Sequence, residues 1–230
     1  MKTIGLIGGM SWESSIEYYR IINETAKEKL GGLHSAKSLM ITVDFAEIEK
    51  LQHADRWDEA AQILIKCAQD LERGGADCIV LCTNTMHKLA DQIIANVNIP
   101  FLHIADATAE KIVAAGMKKI GLLGTRFTME HDFYKGRLVN NFGLDVLVPN
   151  EADRNIVHHV IYEELVQGKI VDASRAEYRR IMQALIDEGA QGIILGCTEI
   201  ELLVKQEDSS VRLFPTTHIH AVAAVEFALK

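Results

Sequence analysis

The sequence predicts an α/β protein built from two similar halves, each with a parallel β-sheet. Three observations lead to this prediction. Short apolar runs rich in β-branched residues alternate with longer segments of helical period, two segments of the first half reappear in the second, and polar residues directly follow the repeated strands. Such alternation is typical of βαβ units, whose parallel strands are mostly buried.

The predicted elements alternate along most of the chain. The strands are residues 3–7, 38–43, 78–81, 120–123, 146–148 and 193–195, and the helices lie near 14–30, 56–74, 105–115, 151–166 and 174–188. Residues 217–229 have one more amphipathic pattern, and we expect this last helix to return to the first half. A chain of 230 residues, 48% of them hydrophobic, is long enough to bury a large core.

A comparison of the chain with itself indicates a duplication. Residues 1–9, MKTIGLIGG, reappear at 117–125 as MKKIGLLGT, and residues 75–83, GADCIVLCT, match GAQGIILGC at 189–197. The two matches occur in the same order and at nearly one offset, which argues against chance. The second match pairs Thr83 with Cys197 and Cys82 with Gly196.

The duplication predicts how the domains are organised. We expect a first half of residues 1–98 plus 209–230 and a second half of residues 99–208, both of the Rossmann-like (flavodoxin-like) type. In open parallel sheets ligands bind beyond the carboxyl ends of the strands. Both copies of the second repeat end at such a place, so we expect one active site in the cleft between two pseudo-symmetric halves.

Composition and charge exclude several classes of protein. The net charge is −8 and the basic residues are scattered, so a nucleic acid is not an expected partner. The first apolar run is too short for a signal sequence and no later run approaches a membrane span, so the expected location is the cytoplasm, away from membranes. The four cysteines have no C-x-x-C spacing, which favours buried or reactive thiols over a disulfide framework.

Cys197 is the first candidate for chemistry. It follows an apolar strand within Leu-Gly-Cys-Thr-Glu at 195–199, beside a glycine that permits close approach of a ligand. A helix N-terminus at this point would lower the thiol pKa from about 8.5 and supply a thiolate near neutral pH. A buried structural cysteine is the alternative, but the polar neighbours and the strand end favour a functional thiol.

The second candidate is the polar segment 82–87, Cys-Thr-Asn-Thr-Met-His, directly after a strand. Its hydroxyls, amide and N–H groups suit a carboxylate or an ammonium group. A capped helix start, with Thr83 or Thr85 as N-cap, is the alternative, and both can hold at once. His87 is either a proton carrier or a surface residue of a helix.

A third candidate is the glycine turn 8–14, with its counterpart at 124–128. It lacks the spacing of a dinucleotide or phosphate loop, so Met10, Thr125 and Thr128 are interpreted as cleft lining, with ordinary helix capping as the alternative. His158-His159 and His218-x-His220 fit surface or capping roles better than metal ligation. No lysine and phosphate cup stand out as a pyridoxal phosphate site. We therefore expect neither a metal nor a cofactor.

Four segments resemble the cofactor-independent aspartate/glutamate racemases: IGLIGGMSWESSIEYY, CTNTMH, GCTEI and IHAVAAVEFAL, which together span nearly the whole chain. The resemblance implies two pseudo-symmetric α/β domains, an acidic amino acid between them, and a homodimer. It also implies two cysteines on opposite faces of the substrate's α-carbon, one removing the α-proton and the other delivering a proton to the far face.

The chain departs from the family pattern at its first cysteine. Where the family has Cys-Asn-Thr, this chain has Thr83-Asn84-Thr85, and Cys82 lies one residue too early. A slip of one residue turns a side chain to the other face of a strand, so Cys82 is not expected to substitute. A hydroxyl is a poor general base. We therefore expect Cys197 to remove the proton from L-aspartate or L-glutamate, and Thr83, or a water that it holds, to reprotonate the other face.

Substrate anchoring also follows from the resemblance. The α-carboxylate and ammonium groups are expected among Asn84, Thr85, Thr198 and the Gly9-Met10 turn. Gln52, in a loop after the second strand, is the expected donor to the side-chain carboxylate. Lys50 is its competitor, and Lys169 is a more distant candidate.

Two rival functions remain open at the level of sequence. One is a single-cysteine enzyme that decarboxylates or isomerises a small diacid, with Cys197 protonating a planar enolate. The other is a non-catalytic protein that binds acidic amino acids. The sequence does not rank aspartate against glutamate, because one methylene changes selectivity by only about 1–3 kcal/mol.

Overall fold

A computed structural model describes all residues from Met1 to Lys230. The strands are β1 (Ile4–Gly8), β2 (Ser38–Thr42), β3 (Cys78–Leu81), β4 (Phe101–Leu102), β5 (Lys119–Gly124), β6 (Asp145–Leu147), β7 (Gly192–Gly196) and β8 (Arg212–Pro215). The helices are α1 (Trp12–Leu30), α2 (Phe45–His53), α3 (Trp57–Arg73), α4 (Ala90–Ile94), α5 (Ile104–Ala114), α6 (Arg126–Glu130), α7 (Asp132–Phe142), α8 (Glu151–Glu163), α9 (Asp172–Asp187), α10 (Ile200–Leu203) and α11 (Thr216–Ala228). Short 3₁₀ turns occupy Thr85–Leu89, Leu165–Gln167 and Gln206–Asp208.

The strands form two sheets with the same topology. One sheet has the order β2-β1-β3-β4 and the other has the order β6-β5-β7-β8, and every neighbouring pair is parallel. The repeated sequence segments therefore become the two central strands of each sheet, β1 and β3 in the first, β5 and β7 in the second. This agreement confirms the predicted α/β fold and its duplication.

The chain divides into two compact units. Unit 1 is Met1–Ile104 together with His220–Lys230, and unit 2 is Ala105–Ile219. Both boundaries lie later than the expected 98/99 and 208/209. Strand pairing gives the reason, since β4 pairs with β3 in unit 1, and β8 pairs with β7 in unit 2. The expected division would have separated both of these edge strands from their sheets.

Several elements are absent from the sequence prediction. The edge strands β4 and β8 are too short for a periodic pattern, and α4, α6, α7 and α10 were also not predicted. The segment expected as a loop after the second strand is helix α2, which starts where the Asp44 carboxylate accepts a hydrogen bond from the Ala46 N–H at 3.0 Å. This correction places Gln52 and Lys50 on a helix.

One side of the unit 1 sheet packs against the first and last helices of the chain. Leu6 of β1 and Val80 of β3 are fully buried in a cluster with Tyr18 and Ile22 of α1 and Val225 of α11. The last helix therefore completes the core of unit 1, as the sequence analysis expected. No helix of the protein combines the length and apolar character needed to cross a bilayer.

Unit 2 has a separate core on its own sheet. Ile193 and Leu195 of β7 are buried together with Val157 of α8 and with Tyr178 and Ile181 of α9. These apolar side chains alternate along β7, as expected for a strand buried between layers. Each sheet is thus supported by its own helices.

The turn from β1 into α1 is tightly built. Gly9 has φ of +92°, and a Cβ there would lie within 2.6 Å of the Val43 backbone nitrogen and closer still to the Val43 carbonyl oxygen. The Gly9 N–H donates to Ser15 Oγ at 2.8 Å, and Ser11 Oγ caps α1 by accepting from the Ser14 N–H at 3.3 Å. Only glycine fits this place, so the turn holds the start of α1 close to the end of β1.

Candidate active site

Cys197 lies directly beyond the carboxyl end of β7 and is partly buried. Its thiol donates to Glu199 Oε2 at 2.9 Å, and the same oxygen accepts a hydrogen bond of 2.9 Å from the Thr198 hydroxyl. Glu199 is 4% exposed, so its carboxylate faces the thiol in a largely dry environment. Glu199 was not among the residues predicted from the sequence, although its position two residues after the candidate cysteine was available as a signal.

The surroundings of Cys197 raise the pKa of its thiol well above the usual value. Burial is the largest cause, followed by the negative charge of Glu199 and by the hydrogen bond to that carboxylate. The expectation of a lowered pKa was therefore wrong. Helix α10 begins only at Ile200 and spans four residues, so the helix N-terminus is not the dominant influence on the thiol. A raised pKa favours the neutral thiol over the thiolate.

Thr83 follows β3 in unit 1 at the position that the repeat pairs with Cys197. It is 8% exposed, and its N–H donates to the Leu81 carbonyl oxygen at 2.9 Å. The preceding residue, Cys82, is fully buried among core side chains that include Tyr18, and burial raises its thiol pKa. The Ser14 hydroxyl of α1 donates to the Cys82 carbonyl oxygen at 2.9 Å, which joins the start of α1 to the end of β3.

The polar residues after Thr83 are buried in the same unit. Asn84 is 3% and Thr85 is 5% exposed, and Thr85 begins a 3₁₀ turn rather than a regular helix. His87, for which a surface position was one interpretation, is 2% exposed. It hydrogen-bonds the Thr83 carbonyl oxygen at 2.7 Å and the Ile104 N–H at 3.2 Å.

Gln52 reaches the same part of unit 1 from α2. Its side chain is buried, and Nε2 lies 2.9 Å from the Met86 sulfur, so the structure brings Gln52 to the 83–87 segment. Lys50 is exposed on the same helix. Lys169 is exposed in unit 2, where its ammonium group donates to Gln167 Oε1 at 2.7 Å. Of these three side chains, Gln52 alone is shown to contact the segment that contains Thr83.

The remaining candidates from the sequence lie at strand ends. Met10 follows β1 and is 4% exposed. Thr125 follows β5, whose Gly124 pairs with Gly196, so Thr125 and Cys197 leave adjacent strands at the same edge. Thr125 caps α6, because its hydroxyl oxygen accepts from the Thr128 N–H at 3.3 Å, and the two hydroxyls are 3.2 Å apart. The capping alternative therefore holds for Thr125.

His220 is a second buried histidine, although the sequence predicted a position at the surface or in a helix cap. His220 is fully buried, and its Nε2 lies 2.7 Å from the Leu102 carbonyl oxygen, while its Nδ1 accepts from the Tyr18 hydroxyl at 2.8 Å. The His87 ring packs against His103 and His220, with centroids 4.6 and 5.8 Å apart. Nothing in the sequence pattern distinguishes these histidines from exposed ones. By contrast, His158 has the expected capping role, accepting from the Arg126 N–H at 3.2 Å.

The chain is similar to known proteins. The family model of the Asp/Glu/hydantoin racemases matches residues 7–224. This chain belongs to the Asp/Glu/hydantoin racemase family. As a member of a racemase family, the protein is an isomerase.

Individual relatives support the family assignment. A crystal structure of a Yersinia pestis protein assigned to the Asp/Glu racemases is 56% identical, with a TM-score of 0.94 and 100% of both chains covered. An aspartate racemase homologue from Pyrococcus horikoshii OT3 is 37% identical, with a TM-score of 0.87 and 100% of both chains covered. The broad specificity amino-acid racemase RacX of Bacillus subtilis (strain 168) is 25% identical over 183 residues, which are 75% of each chain. The fold described above is thus shared with these relatives.

Proposed function

We propose that this racemase inverts the α-carbon of L-aspartate, L-glutamate or both, with Cys197 as the base that removes the α-proton and Thr83 serving the opposite face. The single observation that supports it most is the equivalence of the two residues. Both lie directly beyond the second central strand of a duplicated unit, Thr83 after β3 and Cys197 after β7. A reaction with two faces suits a protein with two such strand ends.

In this proposal the substrate is held by polar residues at these strand ends. The polar groups of Asn84, Thr85 and Thr198 hold its α-carboxylate and ammonium groups, with Met10 lining the space. The Gln52 amide donates to the side-chain carboxylate, which is supported by its burial and its contact with the 83–87 segment.

Glu199 completes the machinery for removing the α-proton. The thiol proton of Cys197 passes to Glu199 Oε2, to which it is already hydrogen-bonded at 2.9 Å. The resulting thiolate takes the α-proton and leaves a carbanion on the substrate. A thiol with a raised pKa is a strong base once ionised, which helps because the α-proton of an amino acid is a weak acid.

Reprotonation on the other face is assigned to Thr83. Its hydroxyl, or a water that it holds, gives a proton to the carbanion. Solvent then restores that proton, and Glu199 releases to solvent the proton that it took from Cys197. Losing a positioned acid/base typically costs about 10²–10⁴-fold, so slow turnover is expected compared with a site that has two thiols. Because enantiomers have equal free energy in water, kcat/KM must be equal in the two directions, and a preference for one enantiomer appears only in kcat and KM separately.

Three further features belong to the same proposal. The reaction needs no cofactor, the working form is a homodimer, and the protein acts in the cytoplasm. They rest on the sequence analysis described above.

The test is an isotope experiment with the purified protein, L-aspartate or L-glutamate, D2O and no added cofactor. Loss of the α-proton is followed by NMR and inversion by optical rotation, in the natural protein and in Cys197→Ala. We expect both signals to change in the natural protein and neither to change in the variant. Absence of exchange with both substrates would overturn the proposal.

A competing activity has one observation in its favour. Thr83 stands at the first strand end and Cys82 is buried, so the protein has a single thiol at the candidate site, as a decarboxylase or isomerase of a small diacid would. Release of carbon dioxide from a malonate-type substrate, dependent on Cys197 and without exchange into aspartate, would favour that activity over racemisation.

A further inference from the structure

We propose that His87 is a positioning residue. It fixes the peptide group between Thr83 and Asn84 and so orients Thr83, the residue that donates a proton to the substrate. This inference rests on the proposed function, because it concerns how Thr83 reaches the substrate. It assigns a role to a buried imidazole that the mechanism above does not use.

Both ring nitrogens of His87 are engaged with the backbone. Nδ1 lies 2.7 Å from the Thr83 carbonyl oxygen, and Nε2 lies 3.2 Å from the Ile104 nitrogen. A carbonyl oxygen only accepts and a backbone N–H only donates, so Nδ1 carries the proton and Nε2 is bare. The two contacts require the neutral imidazole in one tautomer.

The bond to Thr83 determines the orientation of a whole peptide group. In a planar trans peptide the C=O and the following N–H point in opposite directions. With the Thr83 carbonyl held toward His87, the Asn84 N–H points away from the imidazole. The proposed function places Asn84 at the α-carboxylate and Thr83 at the α-carbon, so one hydrogen bond aligns both groups.

The packing around His87 makes this alignment rigid. The side chain is 2% exposed, and its ring meets the edges or faces of Phe101, His103 and His220 at centroid distances of 5.5, 4.6 and 5.8 Å. His87 therefore connects the end of β3 to the start of α5 in a space with little freedom to move. A side chain held so firmly is suited to orientation rather than to carrying protons to solvent.

Two conservative variants separate the bonds of the imidazole. In His87→Asn the amide nitrogen replaces Nδ1 and retains the donor to Thr83, whereas in His87→Gln the amide group replaces Nε2 and the donor to Thr83 is lost. Tyr18→Phe is the matched control, because it also removes one buried hydrogen bond to an imidazole nitrogen, that of His220, in the same unit.

The readout is the ratio of inversion to α-proton exchange for L-aspartate in D2O. Exchange with retention needs only Cys197, whereas inversion needs Thr83 as well. Misplacement by about 1 Å can cost about 100-fold. We expect His87→Gln to lower the ratio by about tenfold or more, with His87→Asn staying within about threefold of the natural protein and Tyr18→Phe leaving the ratio unchanged. A general loss of folded protein would lower inversion and exchange together.

The outcomes separate this inference from the proposed function. If the natural protein inverts the substrate and folded His87→Gln has the same ratio, the role of His87 is overturned and the proposed function stands. If the natural protein exchanges without inverting, both fall. Should His87→Gln fail to fold, the ring nitrogens of the natural protein decide by NMR, since a proton on Nε2 instead of Nδ1 would overturn the inference.

Discussion

At the scale of single residues, the pairing of Cys197 with Glu199 is the most informative feature of the candidate site. A carboxylate 2.9 Å from a thiol disfavours the thiolate and also offers its proton a destination. The thiolate of Cys197 is therefore harder to form than an ordinary thiolate, but it is a stronger base once formed. The pH dependence of the reaction reports this balance directly.

In a plot of kcat/KM against pH, we predict that Glu199→Gln moves the rising limb to lower pH and lowers the plateau at high pH. The natural thiol pKa is raised by burial and by Glu199, so activity should increase with pH as the thiol ionises, at higher pH than for an ordinary thiol. Removing the charge lowers the thiol pKa, and the weaker base that results takes the α-proton more slowly, which lowers the plateau. Initial rates of L-aspartate racemisation across pH measure both effects.

Glu201→Gln is the matched control for this experiment. The Glu201 charge is the smallest of the influences that raise the Cys197 thiol pKa. The Glu201 carboxylate accepts a hydrogen bond from the Thr217 N–H at 3.1 Å. The same neutralisation there should shift the limb less, and in the same direction. A limb that moves to higher pH in Glu199→Gln would contradict the assigned role of the carboxylate.

A second residue-scale prediction distinguishes the two candidate donors on α2. Gln52→Ala should raise KM for L-aspartate about tenfold or more, because the lost donor leaves the substrate's side-chain carboxylate without its partner. Lys50→Ala should leave KM within about twofold, because Lys50 is exposed and has no part in the proposed site. Steady-state kinetics measure KM for both variants. A larger rise of KM in Lys50→Ala than in Gln52→Ala would assign the donor to the side-chain carboxylate to Lys50.

The sequence indicated several candidate site residues, but not the hydrogen bonds around them. Cys197 and Thr83 are candidates because a repeat and a strand end mark them. Glu199 and His87 stand out only through hydrogen bonds to Cys197 and Thr83, and side-chain geometry of this kind is not recorded by a periodic pattern. The direction of the Cys197 pKa was missed because a helix start alone suggests a lowered value, whereas burial of the thiol, followed by the charge of Glu199, raises it.

At the scale of elements, the turn between β1 and α1 carries a strict steric requirement. Gly9→Ala should destabilise the protein by about 3 kcal/mol or more, since the positive φ and the close Val43 backbone each cost about 1–3 kcal/mol. At about 2–4 °C per kcal/mol for a chain of this size, thermal unfolding should show a clear drop in Tm.

Gly143→Ala is the control for the backbone conformation alone. Gly143 ends α7 with φ of 65° and ψ of 25°, and a Cβ there would meet nothing within 4 Å. The expected cost is about 1–2 kcal/mol. Equal losses of Tm in the two variants would show that the Val43 backbone relaxes and that the turn is less confined than described.

Most regular elements were predictable, and those that were not share a physical cause. The strand β3 was predicted with its observed bounds, because four apolar residues between turn signals have few alternatives. The edge strands β4 and β8 are defined by the neighbour with which they pair rather than by their own sequence. Helix α2 was taken for a loop, although the Asp44 cap marks its start.

At the scale of the whole molecule, each unit has its own hydrophobic core. Val225 of α11 is fully buried in the core of unit 1, and Val157 of α8 is fully buried in that of unit 2. Replacing either by alanine should cost roughly 1.5–3 kcal/mol. The same substitution in two separate cores therefore tests whether the units unfold independently.

We predict that hydrogen exchange will show the difference region by region. Val225→Ala should speed amide exchange in residues 1–104 and 220–230, and Val157→Ala should speed it in 105–219, with the other unit little changed. Mass spectrometry of peptides from the exchanged protein resolves the two regions. Acceleration spread evenly over both units in either variant would show one cooperative unfolding unit.

The placement of α11 also sets the order in which the molecule can be finished during synthesis. Unit 2 is one continuous stretch, whereas unit 1 needs His220 and the residues after it, which are synthesised only after unit 2 is complete. The half that leaves the ribosome first is therefore the last to close its core. Until then Tyr18 and Ile22 lack their partners on α11. The newly made half therefore exposes an aggregation-prone apolar surface, which its own carboxyl-terminal helix later covers.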